Sequence, residues 1–126
     1  MADQPVSNPG KFTRSPATTQ QPPPSPAPPA PEAADCWLAV MNDVIGHPDL
    51  CEDMEARRAY GLGKYKVPVK PHNGRDALLD AYQELLDAAV YLKQKQLESI
   101  DARVVNVYHA VLTQLLRLYP IVREKG

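Results

Sequence analysis

The chain is poor in the residues that would place it quickly. Among 126 residues it has six glycines, two cysteines, one tryptophan, six tyrosines and one phenylalanine. Cys36 and Cys51 are too few for a disulfide framework or a zinc knuckle, and both are expected to be free thiols. No run of about 18 apolar residues occurs, and no apolar segment follows a basic patch near Met1. Neither membrane insertion nor secretion is therefore expected, and the protein reads as soluble and cytoplasmic. Charge of one sign is also missing. With Lys+Arg 14 against Asp+Glu 15 the net charge is −1, which removes a global electrostatic argument for nucleic acid or an anionic membrane as partner. There is no GxxxxGK[ST] loop to cradle phosphate, and His47, His72 and His109 lie too far apart in sequence to suggest a metal signature or a nucleophilic triad.

Proline is what the chain has in excess, 14 in all. Ten fall within the first 31 residues, among Ala, Ser, Thr and Gln, and include Pro22-Pro23-Pro24 and Pro28-Pro29. Such a tract cannot bury enough apolar surface to offset ordering entropy. Residues 1–32 are expected to be a disordered, locally polyproline tail, dispensable for folding, and residues 33–126 to form the one domain. Pro23-Pro24-Ser25-Pro26 matches a PxxP pattern, which arises readily by chance in such a composition.

Helical periodicity begins near Ala33. Trp37, Leu38, Met41, Val44 and Ile45 predict a short helix ending at Gly46. Asp49 opens a second, to about Tyr60, stopped by Gly61 and Gly63; residues 62–73 read as an ordered loop. Asn73-Gly74-Arg75-Asp76 resembles an N-cap with a carboxylate at the third helical position, starting a third helix that extends to about Glu98. Ser99 and Asp101 restart the pattern, and Val104, Val105, Tyr108, Val111, Leu112, Leu115, Leu116 and Tyr119 form a wide stripe closing at Pro120. The fold class is all-α, a small four-helix bundle. About 90 residues make a marginal core, and a homodimer or homotetramer is expected to cover the remaining apolar surface.

The chemistry concentrates on the third helix. At 100° per residue, Asp80, Glu84 and Asp87 fall within roughly 60° of one another. Leu78, Tyr82, Leu85, Ala89 and Leu92 lie on one flank and Leu79, Leu86, Val90 and Leu97 on the other, so the acids are expected to line a cleft. No Lys or Arg stands one turn from them to relieve the repulsion. Hard divalent cations are the usual partners of such oxygens. On the second helix Glu52 and Glu55 again share a face, although Asp49 with Glu52 also reads as a capping box.

Between Ala56 and Arg75 there is no Asp or Glu, while Arg57, Arg58, Lys64, Lys66, Lys70 and Arg75 supply six of the 14 basic residues. Carboxylates to hold cations, and Lys and Arg to neutralise phosphate oxygens, are the parts of a metal–polyphosphate site. With no nucleophile apparent, hydrolysis there would use a water activated by metal.

Glu52-Asp53-Met54-Glu55 reads ExxE and Glu84-Leu85-Leu86-Asp87 reads ExxD, with 28 residues between. This pair resembles the signature of the all-α nucleoside triphosphate pyrophosphohydrolases, the superfamily of MazG and the dimeric dUTPases. The stretch from Arg58 to Gln94, with Lys64-Tyr65, Pro68, Asn73 to Asp76, Asp80, Gln83-Glu84, Asp87 and Tyr91-Leu92, is similar to small MazG-like proteins of bacteriophages, of which the MazZ type hydrolyses dGTP to dGMP. The resemblance implies magnesium or manganese, two or three ions per site, held by Glu52, Glu55, Glu84 and Asp87. It also implies attack at the α-phosphorus with release of pyrophosphate, in a host cytoplasm if phage-encoded. Glu55 and Glu84 are the expected catalytic carboxylates. Arg58, Lys64, Lys66, Asn73, Arg75 and Tyr91 are the expected substrate contacts. Asp80 departs from the pattern as a fifth acid, so the ligand set is alternatively Glu55, Asp80, Glu84 and Asp87. No residue is identified that grips the base. The competing reading is a non-catalytic helical adaptor with a Pro-rich tether.

Overall fold

A computed structural model describes residues 15–25 and 34–124. Among them are four α-helices and no strand: α1 (Cys36–Asp43), α2 (Pro48–Tyr65), α3 (Ala77–Glu98) and α4 (Ala102–Glu124). None is long and apolar enough to cross a membrane. The described residues form two compact units, one of residues 15–20 with 76–124 and the other of residues 21–25 with 34–75. The expectation of a disordered tail falls on residues 1–14 and 26–32 outside the described residues; its middle, 15–25, has a definite place in the two units.

In the second unit, Asp35 starts α1: its Oδ1 accepts the N–H of Trp37 at 3.0 Å and of Leu38 at 3.4 Å. The α1 helix ends earlier than its apolar spacing suggested, and Val44–Gly46 is a turn. Across the helix pair, the free thiol of Cys51 on α2 donates to the carbonyls of Val44 at 3.4 Å and Met41 at 3.6 Å, which also accept the backbone N–H of His47 at 2.9 Å and of Val44 at 3.2 Å.

The expected boundaries of α2 are corrected at both ends. It begins at Pro48, with His47 at the N-cap and no side-chain capping bond, so Asp49 and Glu52 do not form a capping box. A proline suits this first position because its missing N–H would have no helical partner. At the other end α2 runs through Gly61 and Gly63 to Tyr65. Glycine costs a helix about 1 kcal/mol relative to alanine, a penalty that neighbouring turns can absorb. What stops α2 is Lys66, left-handed at φ 70°, whose N–H bonds the carbonyl of Leu62.

In the first unit α3 and α4 form an antiparallel hairpin joined by Ser99, Ile100 and Asp101. The N-cap of α3 is Asp76 rather than Asn73: Asp76 Oδ1 accepts the N–H of Leu78 at 3.1 Å and of Leu79 at 3.2 Å. Asn73 instead closes a local turn by accepting the N–H of Arg75 at 3.1 Å. Leu79, Tyr82, Leu86, Ala89, Lys93 and Gln96 alternate spacings of three and four along α3, as do Val104, Tyr108, Val111, Leu115, Leu118 and Val122 along α4, all of them at least half-buried. This is the seam of a two-stranded coiled coil. At its closed-packed end Leu79, Tyr82 and Val122 are buried among Leu78, Leu86, Leu115 and Leu118.

The expected stop at Pro120 is also corrected, since α4 continues through it to Glu124. A proline in a helix costs about 3 kcal/mol. Here the extra turn brings Val122, 6% exposed, onto Leu79 and Tyr82, and Arg123 to 3.5 Å from the Tyr82 hydroxyl. Burying a valine returns about 1.5 kcal/mol or more, and the lost hydrogen bond lies only one turn from the end of the helix.

Candidate functional site

The acidic face of α3 forms as the periodicity requires. Asp80 is half-buried, and Glu84 and Asp87 are exposed on successive turns. Among the described residues Glu84 and Asp87 make no ion pair or hydrogen bond. The flanks differ from expectation. Leu79, Tyr82 and Ala89 are buried against α4, but Val90 is 65% and Leu97 81% exposed, so α3 is covered along one seam and not on two sides. Leu86 and Val90 were assigned to one flank by the helical wheel; α4 covers only Leu86, because the seam is one side chain wide.

A wall beside the acids comes instead from the N-terminal tract. Ser15 closes a turn over residues 15–19. Its carbonyl accepts the N–H of Thr18 at 3.0 Å and the hydroxyls of Thr18 and Thr19 at 3.4 and 2.9 Å, and its Oγ accepts the N–H of Ala17 at 3.1 Å. Gln83 of α3 binds this turn, its Nε2 donating to the carbonyls of Pro16 at 2.9 Å and Thr19 at 2.8 Å. Residues 17–20 of this tract, with Gln83, Leu86, Asp87 and Val90 of α3, line an open cleft of about 530 Å3. Nothing in the sequence near Gln83 signals this bond, because both acceptors are backbone atoms more than 60 residues away.

On α2, Glu52 and Glu55 are exposed three residues apart. Glu55 lies 3.6 Å from Arg58. The stronger partner of Arg58 is Asp35, whose Oδ2 accepts from Nη2 at 2.9 Å and Nε at 3.1 Å. Burial opposes charge on Asp35. The Arg58 hydrogen bond, the Leu38 N–H, the Arg58 charge and the Trp37 N–H together outweigh it and hold the carboxyl below its ordinary range. Asp35 thus caps α1 and anchors Arg58, a double role that its position just before an apolar-periodic run could have signalled.

The other basic-loop residues are spread over several tasks. Lys66 Nζ donates to the Gly63 carbonyl at 2.8 Å, and Lys64 stands 5.3 Å from the centre of the Tyr65 ring. Arg75 Nη1 donates to the Pro22 carbonyl at 2.6 Å, and the Asn73 carbonyl accepts the N–H of Ser25 at 2.8 Å. Asn73 and Arg75, expected to contact substrate, therefore hold residues 22–25 of the N-terminal tract. Tyr91 is 67% exposed on α3.

Carboxylate oxygens suit magnesium and manganese, and the α3 face offers them unneutralised at Glu84 and Asp87. Among the described residues, however, no three His, Cys, Asp or Glu side chains converge tightly enough to hold a metal ion. Asp80, Glu84 and Asp87 belong to one unit, and Glu52 and Glu55 belong to the other. In comparisons with known proteins, no family model, no curated protein and no solved structure matches the chain.

Proposed function

We propose that the protein is a metal-dependent nucleoside triphosphate pyrophosphohydrolase of the MazG-like kind, cleaving at the α-phosphorus to release a nucleoside monophosphate and pyrophosphate. The observation that carries this reading is the α3 face, where Glu84 and Asp87 stand one turn apart without a cationic partner among the described residues. Like charges so placed cost a helix about 0.2–0.5 kcal/mol per pair, a cost that a divalent cation reverses. In this reading Glu52, Glu55, Asp80, Glu84 and Asp87 hold magnesium or manganese, two or three ions per site. The ions would supply charge neutralisation for the phosphates and activation of the attacking water. The fold this reading requires is a four-helix bundle of MazG-like type, and a second copy of the chain would cover exposed apolar residues such as Leu97 and Leu116. Lys64 and Lys66, at the end of α2, would help neutralise the phosphate oxygens of the substrate.

The purified protein should release pyrophosphate, and not orthophosphate, from at least one ribo- or deoxyribonucleoside triphosphate, dGTP among the first tried, only with magnesium or manganese present. Inactivity against all of them with both metals would remove the proposal. The exposure of Leu97 at 81%, Ile100 at 89% and Leu116 at 69% favours the second reading, a helical adaptor, which requires no metal. A rise in melting temperature on adding either cation distinguishes the two, because only a native-state ligand raises it.

A further inference from the structure

The net charge of −1 hides a segregation within α2. No Asp or Glu occurs between Ala56 and Arg75, and the C-terminal turns of the helix carry Arg57, Tyr60, Gly61, Lys64 and Tyr65. At about 100° per residue these side chains share an arc of roughly 140°, with a tyrosine at each edge and Lys64, Arg57 and Gly61 between. The whole arc belongs to one compact unit. Tyr60 is 61% and Tyr65 48% exposed, so packing of the fold leaves ring surface uncovered on both. A cation stands over each ring: the Arg57 guanidinium carbon is 4.8 Å from the centre of Tyr60, and Lys64 Nζ is 5.3 Å from that of Tyr65. Between them the helix is bare at Gly61, where an added Cβ would meet nothing within 4 Å. Asp53, one turn before Arg57 on the same side, bounds the arc.

Cations set beside open aromatic rings are the parts of a single-strand platform, in which rings stack on base faces while Lys and Arg pair with phosphates. An acidic peptide would use the cations and leave the rings idle. A duplex keeps its base faces inside its own stack and offers phosphates alone. We infer that this arc of α2 binds single-stranded nucleic acid, with bases on Tyr60 and Tyr65 and backbone phosphates on Arg57 and Lys64. The inference goes beyond the proposed hydrolysis and does not need it: Arg57, Tyr60 and Tyr65 have no part there, and Lys64 meets phosphate in either.

The test is fluorescence anisotropy on the full chain with a labelled oligodeoxythymidylate of about 15 nucleotides. Saturable binding is expected, weakening about sevenfold between about 50 and 200 mM salt, because two phosphate contacts on a single strand give a log–log slope of about −1.4. Oligouridylate should bind within about threefold, since stacking and phosphate pairing are common to both sugars. Tyr60→Ala removes one stacking ring and should weaken binding at least about fivefold. Arg57→Gln should halve the salt slope, to about −0.7. Gly61→Glu sets a carboxylate in the middle of the arc, at a position with room for it and with a residue that favours helix more than glycine does. It should abolish binding, whereas Gly61→Ala should leave binding unchanged, both with undiminished helical circular dichroism. The inference is overturned by any of four results: no saturable binding at the lower salt, a duplex of the same length held as tightly, displacement by polyglutamate or thymidine 5′-monophosphate at equal charge, or full binding by Gly61→Glu. Pyrophosphate release from nucleoside triphosphates, measured separately, bears only on the hydrolase reading.

Discussion

Gln96 occupies a seam position of α3, and among the described residues its Nε2 is buried without a hydrogen-bond partner. An amide donor withdrawn from water and left unpaired costs about 1–3 kcal/mol. Replacing it by leucine removes that cost, keeps a side chain of similar length, and exchanges two residues of nearly equal helix propensity. The new side chain also adds apolar area to the seam between α3 and α4. A net gain of about 1–2 kcal/mol is expected for Gln96→Leu, of which each kcal/mol raises the melting temperature of so small a unit by about 4–8 °C. Urea denaturation should show a higher midpoint at unchanged slope, because the native and unfolded surfaces barely change. Gln94→Leu provides the control. Gln94 is exposed and donates to Glu98 at 3.1 Å, so its replacement should stay within about 0.5 kcal/mol. If Gln96→Leu instead lost 1 kcal/mol or more, the amide would have an acceptor in the native protein, and the reasoning from an orphaned donor would fail.

Glu84→Gln and Asp87→Asn should abolish metal-dependent pyrophosphate release while leaving the apo-protein as stable or a few tenths of a kcal/mol more stable; variants that melt early but stay active would refute a metal site on this face. Gly61→Ala and Gly63→Ala, at helical positions where an added Cβ meets nothing within 4 Å, should each stabilise α2 by about 0.5–1 kcal/mol, read as a higher urea midpoint, and a loss would mean that those positions are packed in solution. Asp35, held below its ordinary value of 3.8 by Arg58 and two backbone N–H groups, contributes stability that is present above that value and fades as pH falls through its lowered one. Asp35→Asn keeps a capping side chain without the charge, so it should flatten the acid limb of stability against pH below 3.8, as followed by circular dichroism.

Much of the architecture can be read from the chain because α3 carries its own start signal, a long breaker-free run and a regular apolar seam. The errors cluster at glycine and proline. Both were weighed as breakers by local propensity, whereas the end of α2 is set by the left-handed backbone of Lys66 and the end of α4 by Val122 reaching Leu79 and Tyr82. The start of α3 was misplaced by three residues because Asn73 and Asp76 are equally good caps in isolation, and only the hydrogen bonds to Leu78 and Leu79 decide between them. The acidic face followed directly from a 3.6-residue period. The wall beside it did not, since Gln83 binds main-chain carbonyls, which carry no side-chain identity that a sequence pattern could report.

The attachment of Gln83 to Pro16, 67 positions earlier, bears on how the protein is made. At about 5–20 residues per second, the ribosome adds Gln83 roughly 3–13 s after the turn that it will hold. The hairpin of α3 and α4, whose partners are neighbours in sequence, can close within microseconds to milliseconds of its synthesis. The earliest described segment of the first unit must therefore wait through translation of the whole second unit before its partner on α3 exists. During that interval only the local bonds around Ser15 keep it in shape.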